Sequence, residues 1–130
     1  MALVRVVFVT MLLVIGPRAN AETCLHGDDE STSERARRDT AIRYLAIVHA
    51  EQIREQKAHG RFVGLSELAG LPSVPVGFVP KLLSDRWSYV IVLKDFFDPC
   101  GFTLLSDDLG TVYEAHPSRM KPLAKTGDQQ

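Results

Sequence analysis

Two cysteines, Cys24 and Cys100, and four histidines, His26, His49, His59 and His116, are the side chains of this sequence best able to carry chemistry. Their spacing limits what that chemistry can be. His49 and His59 are ten residues apart, without the i, i+4 pairing that turns two imidazoles toward one zinc ion. A reactive thiolate needs an electropositive, partly exposed setting, and Cys100 sits in an Asp98-Pro99-Cys100-Gly101 turn with no basic neighbour. Ser66 lies in Gly64-Leu65-Ser66-Glu67-Leu68, which lacks the second glycine of a nucleophile elbow, so Ser66 reads as a helix cap. No glycine-rich phosphate loop and no second cysteine pair at zinc spacing occur. Catalytic residues, cofactors and metals are therefore not expected, and the chain is read as a non-enzyme.

Two acidic groups could hold a divalent cation. His26 with Asp28, Asp29 and Glu30 offers nitrogen and oxygen donors, yet no further ligand is fixed by spacing and the twelve-residue calcium loop is missing. That segment reads as a hydrated lead-in to a helix. Asp107 and Asp108 form the second group, and aspartate is favoured in turns because it bonds its own backbone.

The element that begins the chain decides how the cysteines are read. Arg5 precedes an apolar run, Val6 to Ile15, broken only by Thr10 and followed by Gly16, Pro17 and Ala19-Asn20-Ala21. This is the order of a secretory signal peptide cleaved after Ala21. The run is well short of the roughly 18 to 20 apolar residues of a membrane span. An uncleaved anchor is the competing reading, and it would require the bilayer to thin. In an oxidising compartment Cys24 and Cys100 are most simply one disulfide. Glu22 does not suit a lipoprotein signal before Cys24.

A helix start follows the acids. Ser31, with Glu34 three residues on, matches a capping box, and the preceding carboxylates favour the positive end of a helix dipole. From Thr32 to about His59 there is neither proline nor glycine, while Ala41, Tyr44, Leu45 and Val48, with Ile42 and Ile53 at the edge, share an apolar face. One helix of roughly 40 Å is expected, with one end projecting and Gly60 as its stop. Beyond it, Ser66 to Leu71 reads as a short second helix, and Pro72, Pro75, Gly77 and Pro80 read as a loop reaching Asp85. Trp87 to Lys94 reads as a strand, either central or lying under the helix, and Phe102 to Leu105 and Thr111 to Glu114 as two more, joined by a turn at Asp107-Asp108-Leu109-Gly110. The tail from His116 is expected to be mobile.

The remaining aromatics divide into core and surface. Trp87, Tyr89, Phe96 and Phe97 read mainly as packing for the sheet, but Phe96 and Phe97 adjoin on a turn, so one of them is expected at the surface as a contact site. Composition agrees with a small folded unit. The chain has 130 residues, 45% hydrophobic and 24% charged, and a formal charge of −1. Mean hydropathy is zero. This is room for one domain, with no excess of Lys and Arg for nucleic acid. Loss of the leader removes two arginines and no acid, taking the charge from −1 to −3.

Three stretches resemble a known family: Ala41-Ile-Arg-Tyr-Leu-Ala-Ile-Val-His-Ala-Glu-Gln-Ile, Gly60-Arg-Phe-Val-Gly-Leu-Ser-Glu-Leu and Ser106-Asp-Asp-Leu-Gly-Thr-Val-Tyr. In order and spacing they look like the globular part of type IV pilins and type II secretion pseudopilins. That resemblance covers roughly residues 36 to 115. It implies a long helix, a glycine-aromatic link, a short helical turn and a meander sheet. The family's N-terminal polymerising half-helix has no counterpart here. Gly101-Phe-Thr-Leu-Leu imitates a prepilin cleavage sequence but runs into Ser106, Asp107 and Asp108 instead of a long apolar segment.

The sequence thus predicts an α+β fold, one long N-terminal amphipathic helix packed on a small antiparallel meander sheet of three or four strands. Residues 1–21 are a signal peptide, 22–115 a single pilin-like domain and 116–130 a tail. The expected function is an exported, periplasmic or extracellular, non-enzymatic interaction module of the cell envelope. Its partner would be an envelope or secretion-system protein, with neither nucleic acid nor a stable membrane span after cleavage. The alternative is a small periplasmic or secreted hydrolase or enzyme inhibitor.

Overall fold

The computed structural model describes residues 23–116. The expected signal peptide, residues 1–21, and the tail beyond His116 lie outside the described residues. A single helix, α1 (Thr32–His59), is followed by four strands, β1 (Phe78–Ser84), β2 (Tyr89–Asp95), β3 (Thr103–Asp107) and β4 (Val112–Ala115). The strands form one antiparallel meander in the order β1-β2-β3-β4. This is the expected α+β arrangement.

Both ends of α1 follow from their residues. Ser31 Oγ accepts from the Glu34 N–H at 3.2 Å, while the Glu34 carboxylate turns away to Arg37 and does not close the reciprocal half of a capping box. At the other end Gly60 adopts a left-handed φ of 70° and its N–H donates to Gln56 O. Glycine takes that conformation without the steric cost of a Cβ. The last turn, Gln56 to His59, is exposed, so it is the C-terminal end that projects.

Packing sorts the sheet into two faces. Tyr89, Ile91, Leu93 and Asp95 alternate inward along β2, joined by Phe102, Leu104 and Ser106, and close on Ala41, Tyr44, Leu45 and Val48 of the helix. Each large apolar side chain fully buried there contributes about 1.5–3 kcal/mol by the usual transfer scale. Gln52, which the apolar pattern passed over, is also buried. Its amide bridges the Val63 backbone, donating to Val63 O at 2.6 Å and accepting from Val63 N at 3.0 Å. That pair ties the end of the helix to the link that follows it.

Three expectations are corrected. The helix over Ser66 to Leu71 is a single 3-10 turn, Leu65–Glu67, because Gly70 and Pro72 leave no room to propagate one. The loop expected to reach Asp85 contains β1, with Pro80 inside it. Proline is tolerated there because β1 is an edge strand and needs no donor on its free side. The aromatics did not all go inside: Tyr89 is buried, whereas Trp87 is 75% exposed, beyond the start of β2.

Candidate functional site

The lead-in before the helix is not a hydrated arm. Cys24 is bonded to Cys100, and Leu25 N–H donates to Asp98 Oδ1 at 3.3 Å. These contacts draw His26 onto the Phe102 ring, 4.1 Å between centroids, where it is 2% exposed. Asp28 and Asp29 stay exposed and do not converge on it. Glu30 does, by the i, i+4 spacing.

Around His26 three elements contribute charge. Its Nδ1 lies 2.7 Å from Glu30 Oε1 and its Nε2 2.7 Å from Asp95 Oδ2 at the end of β2. In its imidazolium form the ring donates to both. Arg37, one turn into α1, donates to Asp95 Oδ1 at 3.0 Å, closes a second bond on Asp95 Oδ2, and holds Glu34 Oε2 at 2.6 Å. Arg38 joins Glu30 to Glu114 of β4 at 3.2 and 3.4 Å. Burial pushes the Asp95 carboxyl up, but hydrogen bonds from Arg37, His26 and the Phe97 amide outweigh it and hold it below the usual carboxylate range. Burial opposes the charge on Arg37 as well, and its bonds to Asp95 and Glu34 keep it ionised.

Donor atoms of His26, Glu34 and Asp95 lie within 4.8 Å of one another, the separation a metal ion would need. Both carboxylates are already bound to Arg37, whose permanent charge stands where a cation would. What this arrangement does is clasp the lead-in, the helix and the sheet together. The other acidic group is equally occupied: Asp107 Oδ1 accepts from the Leu109 and Thr111 amides and Oδ2 from the Tyr113 hydroxyl, all at 3.0–3.1 Å, as a turn aspartate should.

Immediately after the clasp the chain reverses character. Phe96 and Phe97 are 76% and 55% exposed, beside Val76 at 75%. The turn that carries them is fixed. Phe96 N–H donates to Gly77 O at 2.7 Å and Phe97 N–H to Asp95 Oδ1 at 2.9 Å. The Phe97 ring lies against Gly77, where a Cβ would come within 2.5 Å of it, and under the Arg37 guanidinium, 5.4 Å from the ring centroid. Both phenylalanines singled out in the sequence are therefore at the surface on a braced turn.

Family models, curated proteins and solved structures all return no match.

A second polar contact was not anticipated. His49 Nδ1 meets the Tyr89 hydroxyl at 2.6 Å, with the imidazole over Gly110, where a Cβ would sit 2.8 Å from Nε2. Burial, with Asp107 and Asp108 adding to it, raises the Tyr89 hydroxyl well above its ordinary range, so it remains a neutral hydrogen-bonding group. The pair seats the β3–β4 turn on the helix.

His26, Arg37 and Asp95 were missed as a group, although signals existed. Asp95 continues the period-2 series Tyr89, Ile91, Leu93, so it had to face inward and required a cationic partner. His59 lies apart from both groups, whereas His116 packs on Phe102 at 5.2 Å and its Nε2 lies 3.8 Å from Glu114 Oε2, at the margin of the clasp.

Proposed function

We propose that this chain is an exported, non-enzymatic interaction module of pilin-like type, which docks on a protein of the cell envelope or secretion system through the Phe96–Phe97 turn. The observation that carries the reading is the braced exposure of Phe96, Phe97 and Val76. Aromatic residues, phenylalanine included, are enriched at protein interfaces relative to the rest of the surface, and a turn already fixed by hydrogen bonds loses little entropy on docking.

The Cys24–Cys100 bond and the absence, among the described residues, of a helix long and apolar enough to cross a membrane are compatible with export. The long helix on a meander sheet is compatible with the pilin resemblance. A photo-crosslinking residue in place of Phe96, in the full chain expressed in its own host, tests the reading. The expected result is one dominant protein adduct, lost when Phe97 and Val76 are changed to Ser. An adduct pattern indifferent to those changes would remove the turn as the docking site.

A further inference from the structure

Between the middle of α1 and the link that leads to β1 lies an open cavity of about 230 Å³. Thr40, Arg43, Tyr44 and Ile47 line it from the helix, at the i, i+3, i+4, i+7 spacing of a single helix face. The facing wall is the link, where Pro72 and Pro75 supply hydrocarbon surface and no backbone donor. No acidic side chain lines the cavity.

Two polar groups at this cavity lack the partners their neighbours have. Helix α1 carries five arginines, and Arg35, Arg37, Arg38 and Arg54 each lie within ion-pair reach of a glutamate or of Asp95. Arg43 has no carboxylate among the described residues. Its Nη2 donates to Thr40 Oγ1 at 3.1 Å, and Thr40 in turn donates to Ala36 O at 2.9 Å, which holds the guanidinium beside the cavity with most of its donors unspent. Tyr44 is the second case. It is 3% exposed, and its hydroxyl has no hydrogen-bond partner among the described residues. Burial raises the pKa of that hydroxyl, so it stays a neutral donor. A buried side-chain donor left unpaired costs stability unless something arrives to accept from it.

We propose that this cavity binds a small free carboxylic acid with an aromatic body, the ring lying between Ile47 and the two prolines and the carboxylate accepting from Arg43 and the Tyr44 hydroxyl. Charge sets the acid group. A guanidinium fork matches a carboxylate in two parallel bonds, and a phenolic O–H adds a third donor. Size sets the body. A cavity of about 150 Å³ accommodates benzene and drug-sized sites begin near 300 Å³, so this one suits a single ring with its acid. The link argues for a free acid over a segment of a protein. Extended peptides gain affinity from main-chain bonds along the wall they dock on, and Pro72 and Pro75 offer no donor for them.

Titrating phenylacetate into the purified full chain, followed by its amide NMR spectrum, tests this. Saturable shifts centred on Tyr44, Ile47 and Ser73 are expected, with a dissociation constant on the order of 1 mM for so few atoms. Arg43→Gln, at an exposed position that the fold does not need, should weaken binding about ten-fold or more, and Tyr44→Phe about three-fold. Phenylethanol, which keeps the ring and lacks the charge, should bind at least about ten-fold more weakly. No saturation up to about 20 mM overturns the proposal, as do shifts centred elsewhere or an affinity indifferent to Arg43→Gln or to the loss of the carboxylate. So does a short peptide ending in a free Phe carboxylate that binds the same residues about ten-fold more tightly than phenylacetate, which would make the occupant a protein chain end.

Discussion

Asp95 and Phe96 are neighbours in the chain and opposites in environment. Asp95 is a carboxylate with no exposed surface; Phe96 is a hydrocarbon ring left 76% exposed. Each breaks the ordinary sorting of charge outward and apolar groups inward. At Asp95 the violation is met inside the chain, by Arg37, His26 and the Phe97 amide. Nothing among the described residues covers Phe96. A burial rule broken and compensated internally is architecture, whereas one broken without compensation is surface offered to another molecule.

The sharpest way to break this comparison is at Asp95 itself. Asp95→Asn keeps the shape and removes the charge, leaving Arg37 and His26 facing a neutral amide in a buried site. A loss of about 3–5 kcal/mol is expected, read as a shift in the urea midpoint. A loss below about 1 kcal/mol would make the clasp incidental. Next in size is the staple that delivers His26 to it. Cys24 and Cys100 are 76 residues apart, and replacing both by Ser should cost ~2–4 kcal/mol and lower Tm by several degrees. An unchanged transition would show that the charges hold the lead-in without it.

How legible this was depended on the range of the interaction. Helix α1 could be bounded from Ser31, the unbroken stretch from Thr32 and Gly60, because caps and glycine act within a turn of where they sit. The hairpin at Asp107 to Gly110 was legible for the same reason. β1 was not, since Pro72, Pro75, Gly77 and Pro80 say loop locally and only an edge position in the assembled sheet makes Pro80 acceptable. The clasp was hidden because His26 and Asp95 are 69 residues apart, and only the disulfide and sheet bring them together. At the turn, adjacency in sequence pointed to Phe96 and Phe97, but the bracing by Gly77 and Arg37 required the fold.

Acidification should sharpen the same contrast. Asp95 is held below its ordinary range, so its contribution to stability is complete above the unfolded-state pKa, about 3.9, and declines as pH falls from there toward the folded value. Wild-type chain should therefore lose stability below about pH 4 more steeply than Asp95→Asn, as followed by thermal melts across that range. Parallel profiles for the two proteins would mean that the Asp95 carboxyl titrates alike in the folded and unfolded chain, and that the bonds from Arg37 and His26 do not favour its ionised form.

The smallest effects separate the two phenylalanines. Phe97 touches Gly77 and lies under Arg37, so Phe97→Ala should cost about 1 kcal/mol, the scale of a partly desolvated cation–π contact. Phe96→Ser removes a ring held at its backbone but mostly surrounded by solvent. It should leave the urea midpoint within about 0.5 kcal/mol of wild type while abolishing co-purification of the partner that the crosslink identifies. Equal costs at the two positions would mean that both rings serve the fold. A clear gap, with binding lost at the position that costs nothing, would separate the side chain that braces the turn from the one it presents.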